Sequence, residues 1–231
     1  MRTIWLVRHG LPEFPEGERL CIGCRTNYPL SETGKKQAAA VAPFFEGKPI
    51  DNYYTSPLSR AVQTAIEFIP ETAELNILED AHEMDLGAWE GMSFTDICAK
   101  YPDMLRAAGI DPAQGFKIPE GAGIGPTSRP QEAANVRHMV ECSILPDDAE
   151  YPEDAAQRMI GAIRQTKGNA VIACHAAVIG FTVCKLKGMP FTEYMTVNIP
   201  YCSVTQIEEA DDGTLSVAAW GTVPEDVAPL L

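Results

Sequence analysis

Thr3-Ile4-Trp5-Leu6-Val7-Arg8-His9-Gly10 is the stretch on which the fold turns. The run from Thr3 to Val7 is apolar or β-forming, and it stops at an Arg-His-Gly triplet. Such a short run, closed by glycine, reads as a buried strand followed by a turn. Residues 11–30 hold three prolines and two glycines and read as a loop. Ser31 is placed to cap an Ala-rich helix over residues 31–45, stopped by Gly47 and Pro49. Residues 50–55 read as a second strand. Ser56 and Pro57 are expected to cap and start the next helix, which carries Ala61, Ala65, Phe68 and Ile69 at helical spacing and ends before Pro70. Residues 75–78 read as a short strand and 93–101 as a helix.

Past this point the pattern breaks. Residues 102–152 are rich in Pro and Gly and read as an irregular insertion, a lid or cap, with a short helix near 131–141. Regular spacing then returns, with a helix over 154–166 and an apolar strand over 170–174. His175 stands at that strand's C-terminal end, and a helix over 176–186 follows. Strands over 203–208 and 215–219 flank Asp211-Asp212-Gly213, a hairpin turn. Alternating strands and helices give an α/β fold with a mostly parallel sheet. Ligands bind beyond the C-terminal strand ends of such sheets. His9 and His175, two of only four histidines, fall at such ends, with Arg8 beside the first. Arg60 lies near the start of the helix after the second strand, and Glu83 follows the third strand.

These groups suggest one chemistry if they converge. A neutral imidazole can attack phosphorus. Two guanidinium forks can hold phosphoryl oxygens, and a second histidine can donate to them. A carboxylic acid can protonate the leaving oxygen. Phosphoryl transfer asks mainly for positioning and charge stabilisation, so no metal and no cofactor are required. His, Asp and Glu also do not cluster at metal-ligand spacings.

The motifs that carry these residues resemble the histidine phosphatase (phosphoglycerate mutase-like) superfamily, phosphatase branch. Leu6-Val7-Arg8-His9-Gly10 is similar to its signature. Pro29-Leu30-Ser31-Glu32-Thr33-Gly34 with Gln37-Ala38 resembles its loop into the first helix. Tyr54-Thr55-Ser56-Pro57-Leu58-Ser59-Arg60-Ala61 and Gln63-Thr64-Ala65 resemble the segment with its second arginine. Glu83-Met84-Asp85-Leu86-Gly87-Ala88-Trp89-Glu90-Gly91 resembles the segment with its acid, and Ala173-Cys174-His175 the strand end with its second histidine. The resemblance implies a three-layer αβα, phosphoglycerate mutase-like fold, with residues 1–231 as a single domain around the insertion at 102–152. It implies His9 as nucleophile. Arg8, Arg60 and His175 would bind the phosphoryl group, and Glu83 would be the proton donor and later the base. Asp85 is the fallback acid. Ala176, Cys24 and Arg25 are further candidate substrate contacts.

There are departures. Leu11-Pro12 and Pro15 stand where the family often has Glu-Thr and an Asn. Cys24 replaces a usual Gly, and Ala176-Ala177 replace Gly-Gly or Gly-Asn after the second histidine. Specificity is expected in the 11–30 loop and the insertion, where Arg129, Arg137 and His138 are weaker candidates. His82 reads as a packing or supporting residue, Trp89 as core and Cys174 as a buried thiol.

Composition limits the partners. The 231 residues carry 18 Lys and Arg against 32 Asp and Glu, a net charge of −14. No stretch of about 18 apolar residues is present, so no membrane span is expected, and the overall charge repels nucleic acid and anionic membranes. The acidic excess is local. Residues 1–60 hold eight Lys and Arg against six acids, and residues 61–160 hold six against 19. Arg8 and Arg60 belong to the one segment that is net positive, which suits a small phosphorylated metabolite as partner. Seven scattered cysteines and an N-terminus without an apolar leader point to the cytoplasm. Cys21-x-x-Cys24 has no matching ligand pair and reads as two loop thiols. The first functional expectation is a metal-independent phosphatase working through a phosphohistidine at His9. The alternatives are phosphoglycerate mutase-type transfer and a silent phosphate-binding member. The mutase is disfavoured because residues 107–130 hold only Lys117 and Arg129 as cations.

Overall fold

A computed structural model describes residues 1–15, 20–107, 113, 145–191, 193 and 197–231. Arg129, Arg137, His138 and the short helix expected near 131–141 lie outside the described residues. A six-stranded sheet has the order β3-β2-β4-β1-β5-β6. The strands are β1 (Arg2–Arg8), β2 (Asn52–Thr55), β3 (Leu75–Ile77), β4 (Ala170–Cys174), β5 (Val204–Glu209) and β6 (Leu215–Thr222). The first four in spatial order run parallel, and β5 and β6 are added antiparallel at one side. All five residues of β4 are buried, as a central strand covered on both faces requires.

The β1 side chains show why helices lie on both faces. Ile4 and Leu6 pack with Ile172 and Ile179 against the helices α6 (Pro152–Gln165) and α7 (Ala176–Lys187). Trp5 and Val7 pack on the other face with Phe45, Phe68 and Ala38. These belong to α1 (Glu32–Ala39), α2 (Ala42–Phe45) and α3 (Ser59–Phe68). Alternation at period two thus builds a three-layer αβα arrangement from one strand. The short α4 (Phe94–Lys100) and α5 (Pro102–Ala107) follow the Glu83 segment. Ser93 and Asp96 close a capping box at the start of α4.

Three helix readings change. The helix expected over 31–45 is two helices. Ser31 does cap the first, accepting from Gly34 N at 3.0 Å. Pro43 cannot sit in a helix interior, where it lacks the N–H and its ring meets the preceding turn, so the chain restarts with Pro43 in the first turn of α2. Ser56 and Pro57 do not open α3, which begins at Ser59 after an extended Leu58. The Ser56 hydroxyl is engaged elsewhere, and the Ser59 amide donates to Asn27 Oδ1 at 2.7 Å instead. At the other end of the chain, α6 starts two residues earlier than expected because Pro152 suits the first helical turn.

Register sets the site. Val7 and Thr55 are both partners of Ala173, so β1, β2 and β4 end level. His9 N donates to Cys174 O at 3.0 Å and Ser56 N to Ala173 O at 2.9 Å. His9, Ser56 and His175 therefore leave the sheet along one edge. Gly10 follows because the chain there runs against the first turn of α1. A Cβ on Gly10 would overlap the carbonyl oxygen of Gly34, and one on Gly34 would overlap that of Leu11. Both obstacles are backbone. Gly10→Ala is expected to destabilise the fold by about 1–3 kcal/mol, the range for forced overpacking. A urea titration monitored by tryptophan fluorescence measures it, and an unchanged midpoint would remove this account of the triplet's glycine.

Candidate active site

His9 is buried, 4% exposed. Its Nδ1 lies 2.7 Å from the Gly10 carbonyl oxygen. A carbonyl can only accept, so Nδ1 carries the ring proton and Nε2 keeps a lone pair. Burial, then the charges of Arg60 and Arg8, hold its pKa well below the usual histidine value, with the Gly10 carbonyl opposing them weakly. The ring is neutral at neutral pH, as a nucleophile must be.

His175 faces it, with ring centroids 5.2 Å apart. Burial, Arg60 and His9 also lower its pKa strongly. Its Nε2 meets the Ser56 hydroxyl at 2.7 Å, and its buried Nδ1 finds no partner among the described residues. Arg60 is fully buried. Its Nη1 donates to Thr26 O at 2.8 Å and its Nη2 to Gly23 O at 3.0 Å, while Nε has no partner among the described residues. Burial lowers its pKa, and Glu83 and Glu90 act against that. Arg8 lies over the Tyr201 ring, 3.8 Å from its centroid, and donates to Ile199 O at 2.7 Å. Its buried Nε is likewise unpaired.

Glu83 is 7% exposed and sits at the N-terminus of α7. Oε1 accepts from Met84 N and Val178 N, at 2.8 and 3.2 Å, and Oε2 accepts from Ala177 N at 3.1 Å. A cavity of about 170 Å³ opens beside these groups, lined by Arg8, His9, Glu83, Ala176, Tyr201 and the apolar residues Phe14, Leu20, Cys21 and Ile22. A larger space of about 520 Å³ lies between α6, α7 and the β5–β6 turn, away from every group named above.

The structure thus brings together Arg8, His9, Arg60, Glu83 and His175, with Ala176 at the cavity edge. It sets Cys24 and Arg25 apart. Arg25 is paired with Asp85 at 2.9 Å and Asp148 at 3.0 Å, and neither it nor Cys24 is among the described residues lining the cavity. Burial, then Asp85 and Glu90, push the Cys24 thiol up to about 11. Asp85 turns outward to Arg25 and the Gly87 amide, so its position does not match that of Glu83. The helix-start amides of Ala177 and Val178 are occupied by Glu83. His82 holds the Glu83 carbonyl at 2.8 Å, in the supporting place expected of it. Trp89 and Cys174 are buried, the latter with its thiol pKa raised by burial.

Residues 4–125 and 124–222 match the family model described as histidine phosphatase superfamily (branch 1). The chain belongs to that superfamily. It is 39% identical over 109 residues to phosphoserine phosphatase 1 of Hydrogenobacter thermophilus, covering 46% of this chain and 50% of that one. It is 25% identical over 210 residues to a 6-phosphofructo-2-kinase/fructose-2,6-bisphosphatase of Caenorhabditis elegans, covering 89% of this chain and 38% of that one. The chain therefore spans half or less of the length of these two relatives. The solved structure of Bacillus stearothermophilus YhfR superposes with a TM-score of 0.74 at 22% identity, over 98% of this chain and 100% of that one. That likeness establishes the shared phosphoglycerate mutase-like fold.

Three members of the site escaped sequence reasoning. Ser56 reads in sequence as a helix cap, and only the strand register reveals that it reaches His175. Tyr201 carries no periodic signal; it is placed by the turn before β5, where Cys202 adopts φ 55°. Glu90 accepts from Gly23 N, Arg25 N and the Thr26 hydroxyl, and so holds the loop whose carbonyls receive Arg60. A carboxylate at the end of the Glu83 segment gave no sign of that.

Proposed function

We propose that the protein is a phosphoric monoester hydrolase that removes phosphate from a small phosphorylated metabolite without a metal, through a phosphohistidine at His9. One observation carries this reading. Arg8 Nε, Arg60 Nε and His175 Nδ1, on the three groups whose charge or ring bears on His9, are all buried with no acceptor among the described residues. Orphaned buried donors are costly. Three of them at one nucleophile suit an acceptor-rich, dianionic phosphoryl group.

The steps follow from the geometry. His9 Nε2 attacks phosphorus as the ester P–O bond breaks, and the departing oxygen takes a proton from Glu83. Oε2 of Glu83 has a single backbone donor and so has room for that proton. Arg8 and Arg60 hold the phosphoryl oxygens through the trigonal transition state. With the Ser56 hydroxyl donating to Nε2, His175 keeps its proton on Nδ1 and donates it to the same oxygens. Glu83, now a carboxylate, takes a proton from water; the water oxygen attacks phosphorus, the N–P bond breaks and His9 returns neutral. Inorganic phosphate leaves.

Cys24, Cys98, Cys174, Cys184 and Cys202 are thiols outside any disulfide, which fits a reducing compartment such as the cytoplasm. No helix among the described residues is long and apolar enough to cross a membrane. The test is phosphate release from 4-nitrophenyl phosphate in EDTA, with the His9→Ala protein as blank. Turnover that survives the chelator is expected. Activity lost in EDTA and restored by a divalent ion would overturn the metal-free mechanism. Interconversion of phosphoglycerates without phosphate release would make the protein a mutase, and absence of any wild-type rate would make it a binding member.

A further inference from the structure

Beyond its charged and ionisable groups, the cavity is walled by hydrocarbon. Phe14, Leu20 and Ile22 line it and remain only half-buried, which is unusual company for a site that must hold an anion. The wall is held by backbone pairing. Pro12 bridges Leu30, Glu13 N donates to Pro29 O at 2.8 Å, and the Phe14 ring meets Tyr28 with centroids 6.3 Å apart. On the other segment Leu20 bridges Ser93, Cys21 N donates to Met92 O at 2.9 Å, and Gly91 N donates to Cys21 O at 2.8 Å. Both segments are thus tied to framework residues, so the apolar surface is preformed and costs little to order on binding.

Two other described cations are committed elsewhere. Arg25 is paired with Asp85 and Asp148, and Arg158 grips Glu150 at 2.7 Å. Among the described residues, Arg8 is the one cation lining the cavity, and the phosphoryl group claims it. Among the described residues, a second carboxylate or phosphate on the substrate would meet Phe14, Leu20 and Ile22 rather than a counter-charge.

Resting on the phosphatase reading, we infer that the alcohol released is apolar, an arylalkyl or short branched alkyl group, and not a hydroxy acid or a sugar. Size limits the alcohol further. The cavity of about 170 Å³ also includes the space beside Arg8 and His9 that the phosphoryl group takes, so what remains suits a small group, one ring or a short chain.

The test compares benzyl phosphate with glycerol 3-phosphate, two esters of unactivated alcohols, on the full chain. We expect kcat/KM to favour benzyl phosphate by about tenfold or more, the discrimination that an apolar pocket supplies for a few carbons. In Phe14→Ser and Ile22→Ser proteins with wild-type melting curves, that ratio falls toward one. Binding is measured in parallel by calorimetry, with benzylphosphonate expected to bind about tenfold more tightly than methylphosphonate. Hydrolysis of both esters with equal efficiency, or a preference for glycerol 3-phosphate, overturns the inference and leaves the phosphatase intact. If neither ester is hydrolysed, turnover of 4-nitrophenyl phosphate decides the phosphatase reading separately and the phosphonates still decide the pocket: equal affinities overturn the apolar class, and tighter benzylphosphonate binding upholds it.

Discussion

His9→Ala is expected to lower turnover of any phosphomonoester by about 10⁴-fold or more, the scale on which removing a covalent nucleophile acts. The size of the effect follows from how completely the ring is prepared. The bond to the Gly10 carbonyl fixes the proton on Nδ1, and burial beside two guanidinium groups keeps Nε2 unprotonated. No other described side chain can replace it, because His175 is tied to Ser56 through its own Nε2. The variant should still fold, since the β1 backbone bonds do not depend on the imidazole, and it should still bind phosphate through Arg8, Arg60 and His175. Wild-type protein mixed with substrate and quenched in base should carry a phosphoryl group by intact mass, and the variant should carry none. The pH dependence has a definite sign. A histidine whose pKa is lowered stays neutral as pH falls through the ordinary value of 6.5. Proton NMR of the His9 Cε1–H should therefore show no titration midpoint at or above pH 6.5. A midpoint there would mean the ring is solvated and the nucleophile is not prepared.

Much of this site could be read in the chain because its groups sit where periodic patterns stop. Arg8 and His9 end an apolar strand, and His175 ends another; strand recognition alone put them on one sheet edge. The bounds of β4 matched the expected residues 170–174, since a five-residue apolar run between turns has few other readings. What could not be read depends on contacts between segments far apart in sequence. Ser56 has the chemistry of a helix cap, and local rules assign it there. Its hydroxyl instead meets His175, 119 residues away, because β2 and β4 are paired in register. Arg25 fits a motif-like stretch, yet Asp85 and Asp148 occupy its guanidinium. Electrostatic partners of this kind have no periodicity, so sequence patterns do not report them. Pro43 is the contrary case. Its effect is purely local, and the break between α1 and α2 was open to prediction from the missing N–H alone.

Glu83→Gln is expected to give the second large effect, and it separates the two roles proposed for one carboxyl group. As the acid, Glu83 should matter in proportion to how badly the leaving oxygen needs a proton. For an alkyl phosphate, kcat/KM is expected to fall by about 10²–10⁴-fold, the usual contribution of a positioned general acid. For 4-nitrophenyl phosphate the departing phenolate is stable unprotonated, so kcat/KM, which ends at phosphoenzyme formation, should fall by about tenfold or less. Glu83 is also the group that receives Ala177 N and Val178 N at the start of α7. An amide there can still accept with its oxygen, but its NH₂ would face a backbone donor, and a lost bond of this kind costs about 1–3 kcal/mol. That structural cost is blind to the leaving group. An equal loss on both esters, together with a lowered melting temperature, would therefore make Glu83 a helix cap and no acid. Asp85→Asn provides the comparison. Asp85 is held by Arg25 and the Gly87 amide outside the cavity, so its removal should leave the ratio of the two esters unchanged. If the leaving-group split instead appears in Asp85→Asn and not in Glu83→Gln, the proton donor is the residue two places on, and the loop between β3 and α4 must rearrange when substrate binds.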